Sequence, residues 1–223
     1  SSQKKTFDRC LFIEERDNGI IATQNFLDAL QNDEFKRQLL EVVSFGISRN
    51  QRDYKDTYLD TDFALFRKYT LEDVCKLLNW TQNEVPLNVG GYKYDKATNT
   101  FPVFINYDKD PHISETIKYE DRFLSDRELV AISKQPRTLE SPEIQHLAGY
   151  RENGIKAYLF VRKDKNDGNE SKEFNFLGEI IPTGVFKQIT MPGTTKSAVE
   201  ITYRLDVPVR ANLYDYLTND LDG

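Results

Sequence analysis

GGYKYDKATNTFPVFINY, residues 90–107, decides how this chain folds. Before Trp80 apolar residues recur at helical spacing, whereas from Tyr92 onward they alternate with polar ones. The segment DKATNT supplies turn residues, and the alternating apolar residues that follow it are Phe101, Val103, Ile105 and Tyr107. The stretch therefore predicts a β-hairpin. It also marks the change from a helical beginning to a β-rich remainder.

The first part of the chain has the periodicity of helices. IIATQNFLDALQ and DEFKRQLLEVVSFGI each place apolar residues on one face, and Asn32 with Asp33 supplies a break and a cap between them. YTLEDVCKLLNW has the strongest helical pattern, because Thr70 can cap it and Asp73 can complete a capping box. A further helix is predicted across residues 54–68.

Strands dominate after the hairpin. IKAYLFVRK, KEFNFLGEIIP and SAVEITYRLDVPV each predict a strand, whereas Ser141-Pro142-Glu143 predicts a helix start and RANLYDYL a closing helix. Strands in a unit of this size tend to curl so that no edge stays open. We therefore predict an α+β fold, with a helical subdomain over residues 1–68 and a small curled β-barrel over residues 69–223.

Composition limits the kinds of partner this chain can have. The 223 residues carry a net charge of -6 and are 39% hydrophobic. That is enough apolar material for a core, and the acidic balance excludes a protein that coats nucleic acid by charge alone. A reader of nucleic acid with one locally basic face is compatible with this balance.

Two features bear on location and completeness. The sequence has no secretory signal and no apolar run long enough for a membrane span, and Cys10 and Cys75 lack metal-site spacing, which favours reduced thiols in the cytoplasm. The chain begins with Ser1-Ser2 and contains one methionine, Met191. We therefore expect a cytoplasmic piece of a longer protein.

Motifs for catalysis are mostly missing from the sequence. There is no GxxxxGK[ST] loop, Gly90-Gly91 lacks a third glycine and a following helix, and His112 and His146 do not cluster with cysteines as zinc ligands would. Asp164, Glu170 and Lys172 resemble the pattern of metal-dependent nucleases, but a loop rich in Asn, Asp and Gly favours a solvated hairpin tip. We expect no catalytic residue, metal or cofactor in this chain.

The remaining polar and aromatic residues suggest binding. A pocket for a flat heterocycle needs aromatic faces for stacking and an acceptor, ideally a carboxylate, for an exocyclic amine. The aromatics Tyr92, Tyr94, Tyr119 and Phe123 are interleaved with Lys93, Asp95, Asp121 and Arg122, while Lys134, Arg137, Thr138 and Ser141 can contact flanking phosphates. The alternative is that these tyrosines are ordinary strand aromatics packing a core.

Several motifs in order resemble one known family. LEDVCKLLNW, NVGGYKYDKATNTFPVFINY, YEDRFLS, RTLESPEIQ, ENGIKAYLFVRK and FNFLGE resemble the C-terminal domain of unknown function of SauUSI-like enzymes. These enzymes are type IV, modification-dependent restriction endonucleases in which that domain follows a DEAD/DEAH-box helicase motor. The resemblance covers residues 69–217. Residues 1–68 resemble, more weakly, the segment that couples the motor to this domain.

The resemblance implies a target-recognition domain similar to SRA and PUA domains. Such a domain would read 5-methylcytosine or 5-hydroxymethylcytosine in duplex DNA by base flipping. The implied base pocket comprises Tyr92, Tyr94, Tyr119, Asp121 and Phe123, in which Asp121 accepts the cytosine amine. The implied DNA contacts are Lys93, Arg122, Ser133, Lys134, Arg137, Thr138 and Ser141.

The implied partners are double-stranded DNA with modified cytosine and the helicase motor and nuclease domains of the same parent chain. ATP and magnesium would belong to that parent and not to this segment. The alternative is a helicase-associated structural or regulatory module without base-specific readout, which the acidic balance favours.

Overall fold

The computed structural model describes residues 12–16, 19–80, 92–107, 121–163 and 173–218. Within these ranges the helices are α1 (Gln24–Ala29), α2 (Asp33–Asp53), α3 (Leu71–Leu77), α4 (Pro142–Ala148) and α5 (Ala211–Thr218). The strands are β1 (Ile13–Arg16), β2 (Gly19–Ala22), β3 (Lys68–Thr70), β4 (Thr100–Asn106), β5 (Arg122–Ser125), β6 (Glu128–Ile132), β7 (Lys156–Arg162), β8 (Glu173–Thr190) and β9 (Ser197–Leu205).

A hairpin of β1 and β2 precedes the first helix, where the sequence pattern predicted helix throughout. Two consecutive isoleucines favour a strand at this point, and the helix α1 begins only after Thr23, whose hydroxyl accepts from the amide of Phe26. Phe12 packs against Phe26 and Phe35 with ring centroids 5.1 and 6.3 Å apart. The hairpin, α1 and the start of α2 therefore share an aromatic cluster.

The long helix α2 was predicted, and Asn32 caps it by accepting from the amide of Phe35. The helix predicted across residues 54–68 is wrong. The segment forms turns instead, in which the amide of Tyr58 donates to the carbonyl of Phe63 and Phe66 has a φ of 62°. Tyr58 and Phe63 are buried in the core, and that burial outweighs the local helical pattern.

A seven-stranded mixed sheet forms the body of the fold, in the order β4-β7-β8-β9-β6-β5, with β3 also paired to β8. The pair β4–β7 is parallel and the other pairs are antiparallel. The strands predicted from IKAYLFVRK, KEFNFLGEIIP and SAVEITYRLDVPV correspond to β7, β8 and β9. The predicted strands are therefore confirmed, and β3, β5 and β6 are additional.

Two clusters of buried side chains lie against this sheet. The larger one includes Phe101, Val103, Leu129, Ile201 and Tyr203, which come from strands β4, β6 and β9. The smaller one is mostly aromatic and includes Phe63, Trp80, Phe104, Phe160 and Phe176. Alternate residues of β4 enter opposite clusters, as the period of two along a strand requires.

Helix α3 closes the smaller cluster, and its predicted cap is confirmed. Thr70 accepts from the amide of Asp73, and the Asp73 carboxylate accepts from the amide of Thr70, which completes the capping box. Val74 and Cys75 are the buried residues of this helix. Helix α4 likewise begins at Pro142 after Ser141, as the sequence predicted.

The sheet is not closed into a barrel, which corrects the predicted architecture. The 18-residue strand β8 pairs with β7 and β3 along its first half and with β9 along its second half. Gly178, at a φ of +95°, and a register shift between Pro182 and Phe186 lie along this change of partner. Among the described residues β4 and β5 do not pair. Instead, the amide of Phe123 in β5 donates to the side-chain hydroxyl of Tyr107, just after β4 (3.1 Å). The contact between these two strands is therefore made by a side chain and not by backbone pairing.

No helix in the described part of the chain combines the length and the hydropathy that a membrane crossing requires.

Candidate nucleic-acid interface

The segment Tyr92–Asp95 approaches β4 through two isolated bridges, Tyr92 with Val103 and Asp95 with Thr100. The Asp95 carboxylate accepts from the amide of Thr98 (2.9 Å) and from its hydroxyl (2.8 Å), which fixes the turn. The predicted hairpin therefore exists, with a first strand reduced to two contacts. The glycine pair at residues 90–91 lies outside the described residues.

The hydroxyls of Tyr92 and Tyr203 lie near each other in the core, and neither makes a hydrogen bond of good geometry with a described residue. Tyr92 is 7% exposed and Tyr203 is 0% exposed. Burial raises the pKa of both phenols well above its ordinary value, and the nearby charge of Asp121 raises each further. Buried hydroxyls without partners are rare in folded proteins, and this pair is the most unusual polar feature of the core.

Asp121 directly precedes β5, and its charge acts on both of these hydroxyls. Its Oδ1 accepts from the amide of Ile132 at the end of β6 (2.7 Å), which holds the carboxylate in place. Tyr92, Asp121 and Tyr203 come from three distant parts of the sequence and converge at one point.

The other aromatic residues of the implied pocket lie in two further contacts. The ring of Tyr94 packs against Phe101 (6.1 Å between centroids) and His146 (4.5 Å), and Tyr92 also contacts Phe101 (6.0 Å), so the two tyrosines share one face as the alternation predicted. Phe123 is half-buried and packs between two other aromatic rings, those of Tyr107 (5.4 Å) and Tyr214 (5.6 Å). Tyr119 lies outside the described residues.

Three of the implied DNA contacts form a cationic cluster. Burial lowers the pKa of Lys134, and the positive charges of Lys93 and Arg137 lower it further, while Glu143 acts in the opposite direction. Arg137 is paired with Glu143, with Nη2 and Oε1 3.0 Å apart. Three cations thus crowd around one carboxylate in a chain whose net charge is -6.

The hydroxyls of Ser133 and Ser141, two of the implied DNA contacts, form hydrogen bonds with backbone groups of this chain. Ser133 is buried, and its Oγ accepts from the amide of Val199 (2.9 Å) and donates to the carbonyl of Lys134 (3.2 Å). Ser141 Oγ accepts from the amide of Thr138 (2.9 Å). These bonds hold the loop that carries the cationic cluster against β9.

Arg122 lies apart from that cluster on the outer face of β5. Its Nη1 is 3.2 Å from Oε1 of Glu200, a residue that is only 9% exposed. The pair is therefore partly desolvated and locally neutral.

Tyr203 is the residue that the sequence interpretation missed. It stands in the alternating run Val199, Ile201, Tyr203, Leu205 of β9, which the pattern assigns to the core. The available signal was a tyrosine among aliphatic residues on a core-facing strand, because a buried phenol usually requires a partner. Sequence spacing alone could not bring it to Asp121.

A groove of about 540 Å³ opens at another place, between α2, β3 and α3. Its lining includes Arg49, Tyr54, Lys68, Tyr69 and Glu173. No group of three or more residues suited to a metal ion occurs within the described ranges. His112 and the residues of the nuclease-like pattern, Asp164, Glu170 and Lys172, lie outside those ranges.

Residues 63–217 match the family described as domain of unknown function DUF3427. The chain belongs to this family. No curated protein sequence matches the chain. The family match begins at Phe63, a member of the aromatic cluster, and it includes every element of the seven-stranded sheet.

Three solved structures resemble the fold of this DUF3427 protein. One is the DNA recognition domain of the cytosine modification-dependent restriction endonuclease LpnPI, with 15% identity, a TM-score of 0.40, and coverage of 61% of this chain and 67% of that one. KRYPTONITE in complex with mCHH DNA, a histone H3 peptide and SAH has 8% identity, a TM-score of 0.44, and coverage of 80% and 39%.

The third is SUVH6 of Arabidopsis thaliana in complex with SAM, with 11% identity, a TM-score of 0.42, and coverage of 74% of this chain and 31% of that one. The chain thus spans less than half the length of both KRYPTONITE and SUVH6. At these identities and TM-scores the likenesses do not establish a shared function.

Proposed function

We propose that this chain is a DNA-reading module that recognises modified cytosine, 5-methylcytosine or 5-hydroxymethylcytosine, in duplex DNA by flipping the base. The observation that carries the proposal is the closeness of the Asp121 carboxylate to the buried hydroxyls of Tyr92 and Tyr203, neither of which makes a hydrogen bond of good geometry. In a folded protein such groups are costly until a ligand or water satisfies them. A polar heterocycle supplies what this set lacks.

The hydrogen-bonding groups suit cytosine. Its exocyclic amine donates to a carboxylate such as that of Asp121, and its ring nitrogen and carbonyl oxygen accept from hydroxyls such as those of Tyr92 and Tyr203. Thymine would turn a carbonyl oxygen toward Asp121 and would be repelled. The ring of Tyr92 is packed edge-on against Phe101, so Tyr92 would contribute only its hydroxyl to the bottom of the pocket. The half-buried Tyr94 and Phe123 would then stack on the base.

The cationic cluster offers the energy that flipping requires. Extruding a base costs a few kcal/mol, and phosphate contacts from Lys93, Lys134 and Arg137 can offset it. A cytosine methyl group buried in the pocket adds roughly 0.8 kcal/mol, which corresponds to a modest preference over the unmodified base.

The motifs shared with SauUSI-like enzymes support a place for this module in a longer, ATP-dependent type IV restriction endonuclease in the cytoplasm. In that setting residues 69–223 would be the reading domain and residues 1–68 the coupling subdomain. A helicase motor and a nuclease of the same parent chain would supply the reaction, with ATP and magnesium bound there.

The alternative is a structural or regulatory module that lacks base readout. Two observations favour it: Arg122 is neutralised by Glu200, and the hydroxyls of Ser133 and Ser141 are engaged internally. This alternative predicts no difference between modified and unmodified duplex.

A binding titration at fixed salt separates the two. We expect the wild type to bind a duplex with one central 5-methylcytosine more tightly than the same duplex without the methyl group. Asp121→Asn retains an acceptor for the Ile132 amide but presents a donor to the cytosine amine, so the preference should disappear. Asp121→Ala tests the same site without the new donor.

Asp95→Asn is the matched control, because it changes an aspartate that holds a turn near the same hairpin. It should leave the preference unchanged. Equal wild-type binding to both duplexes would exclude the proposed readout, and an undiminished preference in both Asp121 variants would place the amine acceptor elsewhere.

A further inference from the structure

The second half of β8 and the first half of β9 form a two-stranded ribbon, defined as residues 183–199. Within these bounds cross-strand pairing runs from Gln188 opposite Val199 to Thr190 opposite Ser197, and the next pair, Lys187 with Glu200, marks the base of the ribbon. The turn is closed by the amide of Met191, which donates to the carbonyl of Lys196 (2.9 Å). Most ribbon residues are exposed, including Val185 at 58%. Two-stranded β-ribbons are among the elements that contact duplex DNA.

The ribbon carries only positive charge. Residues 180–199 contain Lys187 and Lys196 and not one of the chain's 36 acidic residues. Both lysines are exposed, and neither is ion-paired within the part of the chain that the structure describes. Glu200 lies opposite Lys187, but its carboxylate is paired with Arg122 at 3.2 Å. The ribbon is therefore a basic strip on an acidic protein.

Two hydrogen bonds fix the ribbon beside the cationic cluster. The amide of Leu139 donates to Oε1 of Gln188 (3.2 Å), and the amide of Arg137 donates to the carbonyl of Ser197 (3.0 Å). The loop that carries Lys134 and Arg137 thus runs along the ribbon. Any phosphate backbone that reaches the cluster passes close to the ribbon.

We infer that the ribbon is a second contact surface for duplex DNA, which places Lys187 and Lys196 on phosphates adjacent to the reading site. This rests on the proposed function and extends it from the base pocket to the flanking duplex. The ribbon takes no part in base discrimination, because lysine–phosphate contacts carry no sequence information.

The test is the salt dependence of duplex binding by Lys187→Gln/Lys196→Gln. Each lost phosphate contact lowers the slope of log affinity against log salt by about 0.9 in magnitude. Between 50 and 200 mM salt the wild type should therefore lose about tenfold more affinity than the double variant. The preference for the methylated duplex should be unchanged, since both duplexes lose the same two contacts.

Lys36→Gln/Lys55→Gln is the matched control. Both lysines are exposed, on α2 and just after it, and the variant changes the net charge by the same amount. Its salt slope should equal that of the wild type. The far-UV circular dichroism and the Tm of both double variants should match those of the wild type. If the ribbon variant has a lowered Tm, the single variant Lys196→Gln replaces it. The expected change in its salt slope is about 0.9.

The outcomes separate the two proposals. A ribbon variant whose salt slope equals that of the control overturns the ribbon inference, even when methyl preference is intact. Equal wild-type binding to both duplexes, with a reduced slope in the ribbon variant, overturns base readout and retains the ribbon as a DNA contact. A wild type that binds neither duplex at 50 mM salt overturns both.

Discussion

At the scale of single residues, the hydroxyls of Tyr92 and Tyr203 are the features that most need an explanation. Each is buried beside Asp121 without a hydrogen-bond partner among the described residues. Neither hydroxyl improves packing in a way that phenylalanine would not. Under the proposed function they serve binding at some cost in stability.

Tyr203→Phe should separate these two effects. Removing an unsatisfied buried hydroxyl should raise the free energy of unfolding by about 1 kcal/mol, because the desolvation cost of the hydroxyl disappears. The same change should weaken binding to the 5-methylcytosine duplex, since a donor to the base is lost. Denaturant unfolding and duplex titration measure the two effects on one preparation.

Tyr58→Phe is the control, because its hydroxyl is satisfied. It donates to Asp206 (2.9 Å) and accepts from the amide of Glu179 (3.2 Å). Loss of this hydroxyl should lower the free energy of unfolding by about 1–2 kcal/mol and leave the methyl preference unchanged. Destabilisation of similar size in both variants would show that Tyr203 has a partner in solution.

Replacing Lys134 should likewise raise the stability of the fold while weakening the binding of duplex DNA. Burial and the charges of Lys93 and Arg137 lower the pKa of Lys134, so the folded state disfavours its charged form. This cost is fully present at pH 7 and disappears as the pH rises through the lowered pKa toward the ordinary value. Lys134→Met should therefore raise Tm at pH 7, and the gain should shrink at alkaline pH.

The same Lys134→Met variant should bind duplex DNA more weakly at pH 7, because a phosphate contact is lost. Lys36→Met, on the exposed surface of α2, is the control for the change of residue type and should alter neither property. Thermal melts across pH and a titration at pH 7 provide the comparison. A lower Tm for Lys134→Met at pH 7 would contradict the crowding of cations at this loop.

At the scale of elements, the helix caps distinguish packed helices from unpacked ones. Thr70 caps α3, which buries Val74 and Cys75, whereas Asn32 caps α2, in which no residue is fully buried. Thr70→Ala should therefore lower the global free energy of unfolding by about 1 kcal/mol. Asn32→Ala should leave global stability nearly unchanged.

Hydrogen exchange checks the second part of this prediction. Without its cap, α2 should fray, and the amides of its first turns should exchange faster while those of β7 and β8 do not change. Asn32→Ala could instead lower global stability as much as Thr70→Ala does. That result would mean that α2 packs against another surface in solution through its exposed Leu40, Phe45 and Ile47.

Elements with local signals were predictable from the sequence, and those fixed by distant partners were not. The capping box of α3, the proline start of α4 and the strands β7–β9 each have a pattern within a few residues. The strand β6 has none, because three consecutive residues, Leu129 to Ala131, are buried and the alternation is lost. Its position depends on β9, about 70 residues later.

The candidate site shows the same limit. Local composition was enough to single out Asp121, Lys93, Lys134 and Arg137, but their grouping depends on the pairing of β5 and β6 and on the approach of Tyr92. Tyr203 and the basic ribbon lie on β9 and β8, which the sequence marked as ordinary strands. Only the assembled sheet brings Tyr203 close to Asp121 and the ribbon close to the loop of Arg137.

At the scale of the whole molecule, β8 joins the two halves of the sheet. It belongs to the aromatic cluster at Phe174 and Phe176 and to the larger core at Leu177 and Ile180. Trp80, on the aromatic side, donates from Nε1 to the hydroxyl of Thr100 (2.8 Å), which ties α3 to β4. Because the two clusters share one strand and these cross-links, we expect them to unfold in a single transition.

Gly178→Ala tests this shared strand, with Gly184→Ala as its control. Both glycines have positive φ, +95° and +89°, but an added Cβ at Gly178 would lie 3.3 Å from Cδ2 of Leu65, whereas at Gly184 it meets nothing within 4 Å. Gly184→Ala should therefore cost about 1 kcal/mol of backbone strain, and Gly178→Ala about 2–3 kcal/mol, since crowding at the junction adds to the strain.

Trp80 is the only tryptophan of the chain, so its fluorescence follows the aromatic side while far-UV circular dichroism follows the whole sheet. The two transitions should shift together in Gly178→Ala. A fluorescence transition that moves alone would show that the two halves of the sheet unfold independently.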